Sequence, residues 1–208
     1  CIPLWQIRQI PGVTGVVGAL YDVPVGEVWP IEKIAHLKRT VESAGLELEV
    51  IESVNIHEDI KLGLPSRDRY IENYRETLRR LARAGVRVVC YNFMPIFDWF
   101  RTDLARELPD GSNALFYDAG MACSLTPQQV VESVAGKSNG FTLPGWEPER
   151  LATLEKLFAQ YKGVGVDHLF ANLKYFIDAV IPVCEEFDIR MAIHPDDPPW
   201  SIFGLPRI

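Results

Sequence analysis

No CxxC pair occurs in this chain. Its four cysteines, Cys1, Cys90, Cys123 and Cys184, are scattered, which disfavours a zinc knuckle or a thioredoxin-like motif and fits reduced thiols. No apolar run approaches the length of a membrane helix, and the start lacks a signal-peptide pattern, so no membrane partner and a cytoplasmic location are expected. Neither GxGxxG nor GxxxxGK followed by Ser or Thr is present, which disfavours a nucleotide-binding Rossmann or P-loop domain. A surplus of basic residues is also missing: Lys and Arg total 21 against 28 Asp and Glu, a net charge of −7. Nothing suggests a basic nucleic-acid face. An anionic ligand would need a few local cations, or a metal, to draw it in against that field.

The 208 residues are 48% hydrophobic and 24% charged, the composition of an ordinary soluble globular protein. One domain is expected, or at most two. The chain opens on Cys1, not Met, with no lead-in to the first element, and upstream residues are expected to be missing. Four segments read as buried strands: Val13–Asp22, Leu46–Ile56, Val86–Pro95 and Ile189–Pro195. Their near-continuous apolar, β-branched cores suit a parallel sheet covered on both faces.

Helical patterns lie between them. Ile31, Ile34, Leu37, Val41 and Ala44 form one stripe, closed by Gly45. Ser66 is placed to cap the next helix, with Ile71, Tyr74, Leu78, Leu81 and Ala82 on its apolar face and Gly85 at its end. Asp167 is placed to cap the last, whose stripe is Leu169, Leu173, Phe176, Val180 and Cys184; Pro182 should kink it or disturb its last turns. "SAGLELEV" and "RAGVRVV" repeat one helix-to-strand turn, the grammar of an α/β protein. The third interval is longer and holds an inserted loop and helix region at about residues 97–145. Its helix starts at "LTPQQVVESVAG", with Thr126 as cap, and "NGFTLPGW" reads as a loop before a helix from about Glu147 to Tyr161. Four βα units cannot close an eight-stranded barrel, which takes about 250 residues. They make either a small open sheet or part of a (β/α)8 TIM barrel with strands missing at both ends.

In a barrel, chemistry gathers at the C-terminal ends of the strands. Those ends carry Tyr21 and Asp22, then Glu52, Asn55, His57, Glu58 and Asp59, then Tyr91, Asn92, Asp98, Trp99 and Arg101, then His194, Asp196 and Asp197. Each has a bland reading: "IHEDIK" as a solvated loop, His57 as a helix cap, Asn92 satisfying its own turn, Trp99 as core, Arg101 as a surface cation. His194 carries the strongest functional signal. It ends a buried strand and is followed by "PDDPP", whose prolines hold the loop extended. Imidazole is the commonest side-chain metal ligand, and nearby carboxylates orient it or ligate with it. Further ligands could be Glu52, an aspartate or groups outside the chain; Cys90, mid-strand, and Cys184, on a helix face, read as core.

"ALYDVPVGEVWP", "VIESVNIHEDIKLG", "VCYNFMPIFDWFRTDL", "LPDGS" and "MAIHPDDPPWSIFGLPRI" together resemble mannonate dehydratases. The likeness runs from near residue 5 to the end, apart from about residues 117–145. It implies a (β/α)8 barrel of the xylose-isomerase-like kind, of which this chain carries the second to fifth strands. It implies a hydro-lyase of hexuronate catabolism that turns D-mannonate into 2-keto-3-deoxy-D-gluconate with a divalent metal, Mn2+ or Fe2+. His194 then corresponds to a metal ligand. The family's other ligands, a cysteine, a histidine and an aspartate, and its principal acid–base residues would lie outside these 208 residues.

The chemistry suits the residues. The proton on the carbon bearing the carboxylate becomes acidic only once that charge is neutralised, which a chelated divalent ion achieves; a base and an acid complete the elimination. Asp196 or Asp197 would orient His194 or touch substrate hydroxyls. His57, Asn92 and Arg101 would contact hydroxyls and carboxylate, with Trp99 as an apolar wall. Two alternatives stand beside this: a metal-dependent sugar isomerase or epimerase on the same barrel, or an inactive fragment or sugar-acid binding protein. A 208-residue chain that is complete is expected to be inactive alone, and the working protein is expected to be a homo-oligomer.

Overall fold

The structure is a computed structural model describing residues 2–124, 126, 129 and 154–208. Six strands are seen among these: β1 (Gly15–Gly18), β2 (Glu47–Ile51), β3 (Val88–Tyr91), β4 (Asp103–Glu107), β5 (Asn113–Phe116) and β6 (Arg190–Ile193). The helices are α1 (Leu4–Ile7), α2 (Ile31–Ser43), α3 (Glu58–Lys61), α4 (Arg67–Arg83), α5 (Ala119–Ser124), α6 (Leu154–Tyr161) and α7 (Val166–Phe187). They fall into two compact units, Cys1–Asn92 with Ala171–His194, and Phe93–Phe170 with Pro195–Ile208.

The first unit holds a parallel sheet in the order β1-β2-β3-β6. All four expected strands are present, each shorter than its apolar run. Pairing of Ile51 with Val89 and of Tyr91 with Ile193 defines one face. Helices cover that face: the Phe176 ring of α7 lies 5.0 Å from Tyr74 of α4 and 6.0 Å from Tyr91. Ile51, Leu78, Leu81, Val89, Phe176 and Val180 are completely buried. Each such side chain contributes about 1.5–3 kcal/mol of burial. A Cβ on Gly18 would stand 2.9 Å from Leu48 and 3.5 Å from Leu37 of α2, so the β1 backbone approaches the helix layer closely.

The opposite face carries Val17, Val50, Val88 and Arg190, then Cys90 and Ala192. Val17 is 55% exposed and Arg190 and Ala192 are exposed. Cover on both faces was expected; among the described residues the second face is covered only in part, with Val50, Val88 and Cys90 half-buried. Continuous apolar strands signal burial but not by which neighbours.

One turn connects helix to strand three times. After α2 the Leu46 N–H donates to the Val41 carbonyl, and after α4 the Val86 N–H donates to the Leu81 carbonyl. Gly45 (φ +74°) and Gly85 (φ +90°) supply the left-handed residue that this hydrogen-bond pattern requires. After α7 the Ile189 N–H donates to the Cys184 carbonyl around Asp188, at φ +52°. Asp tolerates that conformation better than most residues, so the third copy is written without glycine. Helix α7 continues through Pro182 for five more residues to Phe187.

Two expected caps differ. Ser66 precedes α4, but its hydroxyl donates to Asp59 and makes no cap bond. Asp167 lies inside the first turn of α7. Thr126 does exchange cap-type bonds with Gln129: the Gln129 N–H donates to Thr126 Oγ1 at 3.3 Å, and the Thr126 N–H donates back to Oε1 at 2.9 Å. The rest of that helix, "NGFTLPGW" and the start of the helix from Glu147 lie outside the described residues.

The second unit corrects the expected loop and helix region, since β4 and β5 form an antiparallel hairpin. Its turn is "LPDGS": Gly111 has φ +82°, and Asp110 Oδ1 accepts from the Ser112 N–H at 3.0 Å and its hydroxyl at 2.7 Å. An Asp-Gly pair between two strands is a hairpin signal, hidden here because both strands are largely exposed and show no apolar alternation. The unit's core is aromatic. Phe203 meets Phe97 at 6.0 Å and Phe100 at 5.1 Å, and Phe93, Phe97 and Phe100 are completely buried.

Candidate active site on the open face

The register decides which strand-end side chains share the open face. Cys90 pairs with Ala192 and Tyr91 with Ile193, and the His194 N–H donates to the Tyr91 carbonyl at 2.7 Å. Tyr91 turns to the helices. Strand alternation therefore sends Asn92 and His194 to the open face as lateral neighbours, at the C-terminal ends of β3 and β6. Asn92 is 7% exposed, and His194 is exposed.

The same reasoning carries Glu52 to this face. Val50 pairs with Val88 and Ile51 with Val89, so extending that register past the end of β2 brings Glu52 level with Cys90. The Glu52 N–H donates to the Gly18 carbonyl at 2.9 Å, continuing the ladder towards β1. Burial, and secondly the Glu52 charge, push the Cys90 thiol above its usual pKa. A register shift sets this phase: β2 carries one extra residue around Glu49, whose carboxyl carbon would be 2.4 Å from a Cβ on Gly15. Cys90, read from the sequence as core, is half-buried and sits in this row, whereas Cys184 is buried on α7. The alternation within "VIE", "CYN" and "IH" was the signal for this face. A shift cannot be read from one strand alone.

His57 does cap a helix, the blander of its two readings. Its Nδ1 accepts the Asp59 N–H at 3.1 Å at the start of α3, which leaves the neutral ring's proton on Nε2. The ring stacks on Tyr70 at 3.7 Å, 12° from parallel, and lines a small cavity with Gly26, Asn55 and Trp29. "IHEDIK" is not a solvated loop: Glu58 and Lys61 are buried and paired at 3.1 Å.

The remaining expected site residues lie in the second unit. Arg101 donates through both terminal nitrogens to the two Asp197 oxygens, at 2.6 and 2.8 Å, and to the Phe100 carbonyl at 2.8 Å. This fork raises the guanidinium pKa further. Asp196 is buried and accepts the Ile208 N–H at 2.8 Å. Trp99 is half-buried, among fully buried Ile96, Phe97 and Phe100.

His194 and Asn92 thus directly follow two paired parallel strands, at the carboxyl edge of the sheet. The whole chain, residues 1–208, matches the family model for D-mannonate dehydratase (UxuA). The chain belongs to the D-mannonate dehydratase family. It is 67% identical over its full length to a mannonate dehydratase of Thermotoga neapolitana, covering 58% of that protein, and 62% identical to one of Geobacillus thermodenitrificans, covering 56%. The crystal structure of mannonate dehydratase from Streptococcus suis serotype 2 superposes with a TM-score of 0.84 at 46% identity, across all of this chain and 53% of that one. The chain thus spans a little over half the length of the relatives it matches.

Members of this dehydratase family are generally metal-dependent, and His194 fits as a donor: an exposed imidazole on a strand end fixed by its backbone bond to Tyr91. Among the described residues no three His, Cys, Asp or Glu side chains gather to hold an ion. No helix among the described residues is long and apolar enough to cross a membrane.

Proposed function

We propose that the protein containing this chain dehydrates D-mannonate to 2-keto-3-deoxy-D-gluconate, using Mn2+ or Fe2+ held in part by His194. The observation that carries the reading is His194 held by its backbone bond to Tyr91 at the carboxyl ends of paired parallel strands, in a chain that matches the dehydratase family from end to end. The four strands are taken as the second to fifth of one (β/α)8 barrel domain with an insertion at about residues 97–145. A cytoplasmic, homo-oligomeric enzyme goes with this reading.

The bound ion would supply Lewis acidity, neutralising the substrate carboxylate so that the neighbouring C–H can lose its proton. His194 would contribute its neutral imidazole to hold that ion. The Asn92 carboxamide, a donor and an acceptor, would orient a substrate hydroxyl beside it. The other expected substrate contacts already have partners inside the protein, which favours positioning roles. His57 holds the start of α3, and Arg101 holds Asp197 in the loop after His194. Asp196 secures the same loop to Ile208. Trp99, half-buried, is kept as an apolar wall.

The test is product formation by the full-length protein from D-mannonate with Mn2+, with and without a chelator. Chelator-sensitive 2-keto-3-deoxy-D-gluconate is expected. A folded, metal-loaded sample that yields none refutes the proposal, and a rearranged sugar in its place points to an isomerase.

A further inference from the structure

The open face is not uniform in charge. His194 stands at one side, directly after β6, and Glu52 two strands away, directly after β2. Two strand spacings and a two-residue offset along the strands separate them by about 12 Å, a span suited to an extended hexonate and two side chains. Glu52 is exposed, and among the described residues its carboxylate makes no hydrogen bond or ion pair. The side chains between the two are small or neutral: Cys90, Ala192 and Asn92.

We propose that Glu52 reads the hydroxyl end of the substrate and so fixes which end of the sugar acid meets His194. This assignment rests on the dehydratase reading above. A carboxylate is an acceptor for two hydroxyls at once. It repels the substrate's own carboxylate, whereas an ion at His194 attracts it. The two charges together favour one orientation of an otherwise nearly symmetric polyol chain.

The experiment compares the full-length, Mn2+-loaded enzyme with its Glu52→Gln variant. KM and kcat are measured for D-mannonate, together with Ki for a four-carbon aldonic acid that shares the C2 and C3 configuration but lacks the far hydroxyls. The variant is expected to raise KM for mannonate about 10- to 100-fold, the loss of a charged hydrogen-bond acceptor. Its kcat should change little and its Ki for the short acid by less than about twofold. Equal effects on both ligands, or none on either, overturn the assignment and leave the dehydratase reading standing. No turnover by the unmutated enzyme overturns that reading, and the assignment with it. A second readout is independent of activity. Removing the carboxylate should lower the Cys90 thiol pKa and quicken its alkylation at fixed pH; an unchanged rate contradicts the placement of Glu52.

Discussion

Replacing Gly26 by Ala tests how the loop after β1 is locked to the loop after β2. Gly26 has φ +87°, and a Cβ there would stand 2.6 Å from Tyr70 Cδ1 and 2.9 Å from His57 Cδ2. Three costs combine. The left-handed conformation costs a non-glycine residue about 1–2 kcal/mol. The His57–Tyr70 stack must slide apart, giving up about 0.5–1.5 kcal/mol. The Asp59 N–H bond to His57 Nδ1 weakens, for a further 0.5–1 kcal/mol or so. The total expected is about 2–4.5 kcal/mol, read by urea unfolding of the full-length protein. Gly85→Ala is the comparison. Its φ is +90°, but the added Cβ meets only Lys38 Nζ, at 3.1 Å, the movable tip of a long side chain. It should cost only the backbone share. In a Tyr70→Ala background the difference between the two substitutions should narrow to about the 0.5–1 kcal/mol of the weakened His57 cap. If Gly26→Ala is no more damaging than Gly85→Ala in the unmutated background, the interlocking of these loops is refuted.

Three further outcomes can be checked. Arg101→Met should destabilise by about 1–2 kcal/mol, since it removes a bidentate, half-buried fork; a double-mutant cycle with Asp197→Asn should show coupling, and no coupling contradicts the pairing. Glu72 and Glu76 are held below the usual glutamate pKa, chiefly by hydrogen bonds from Arg79 and Arg80 respectively. Below the ordinary value near 4.3 the unfolded chain takes up protons first, so the stabilisation is complete above that pH and fades as pH falls through the depressed values. Thermal melts of Glu72→Gln/Glu76→Gln between pH 5 and 2 should therefore slope less steeply than those of the unmutated protein. The Tyr74 hydroxyl is buried with no hydrogen-bond partner among the described residues, and burial pushes its pKa well up. Tyr74→Phe should be neutral or stabilising, by up to about 1 kcal/mol; a loss of more than that reveals a partner.

The four strands and the order of the sheet could be read from the chain because apolar runs and Gly-closed helices repeat. Gly45 and Gly85 sit at the expected turns. The third turn escaped notice because Asp188 takes the place of glycine. The hairpin was missed for a different reason: its strands bury little, so only "PDG" spoke for it. At the candidate site, His194 and Asn92 stand out in the sequence because both directly follow apolar strand segments. Glu52 also ends a strand, but its face depends on the register shift around Glu49, which is a property of two strands together. His57, Arg101 and Asp197 have the right chemistry for ligands, and composition cannot tell a side chain aimed at a ligand from one already held by the protein.

The most direct test of a metal-dependent dehydratase site on the open face is Mn2+ binding and product formation measured on the same samples of full-length protein and its His194→Ala variant. A folded variant that binds Mn2+ at least tenfold more weakly and forms little 2-keto-3-deoxy-D-gluconate is the expected result. Unchanged Mn2+ affinity and unchanged turnover in that variant would contradict the assignment of this face as the active site.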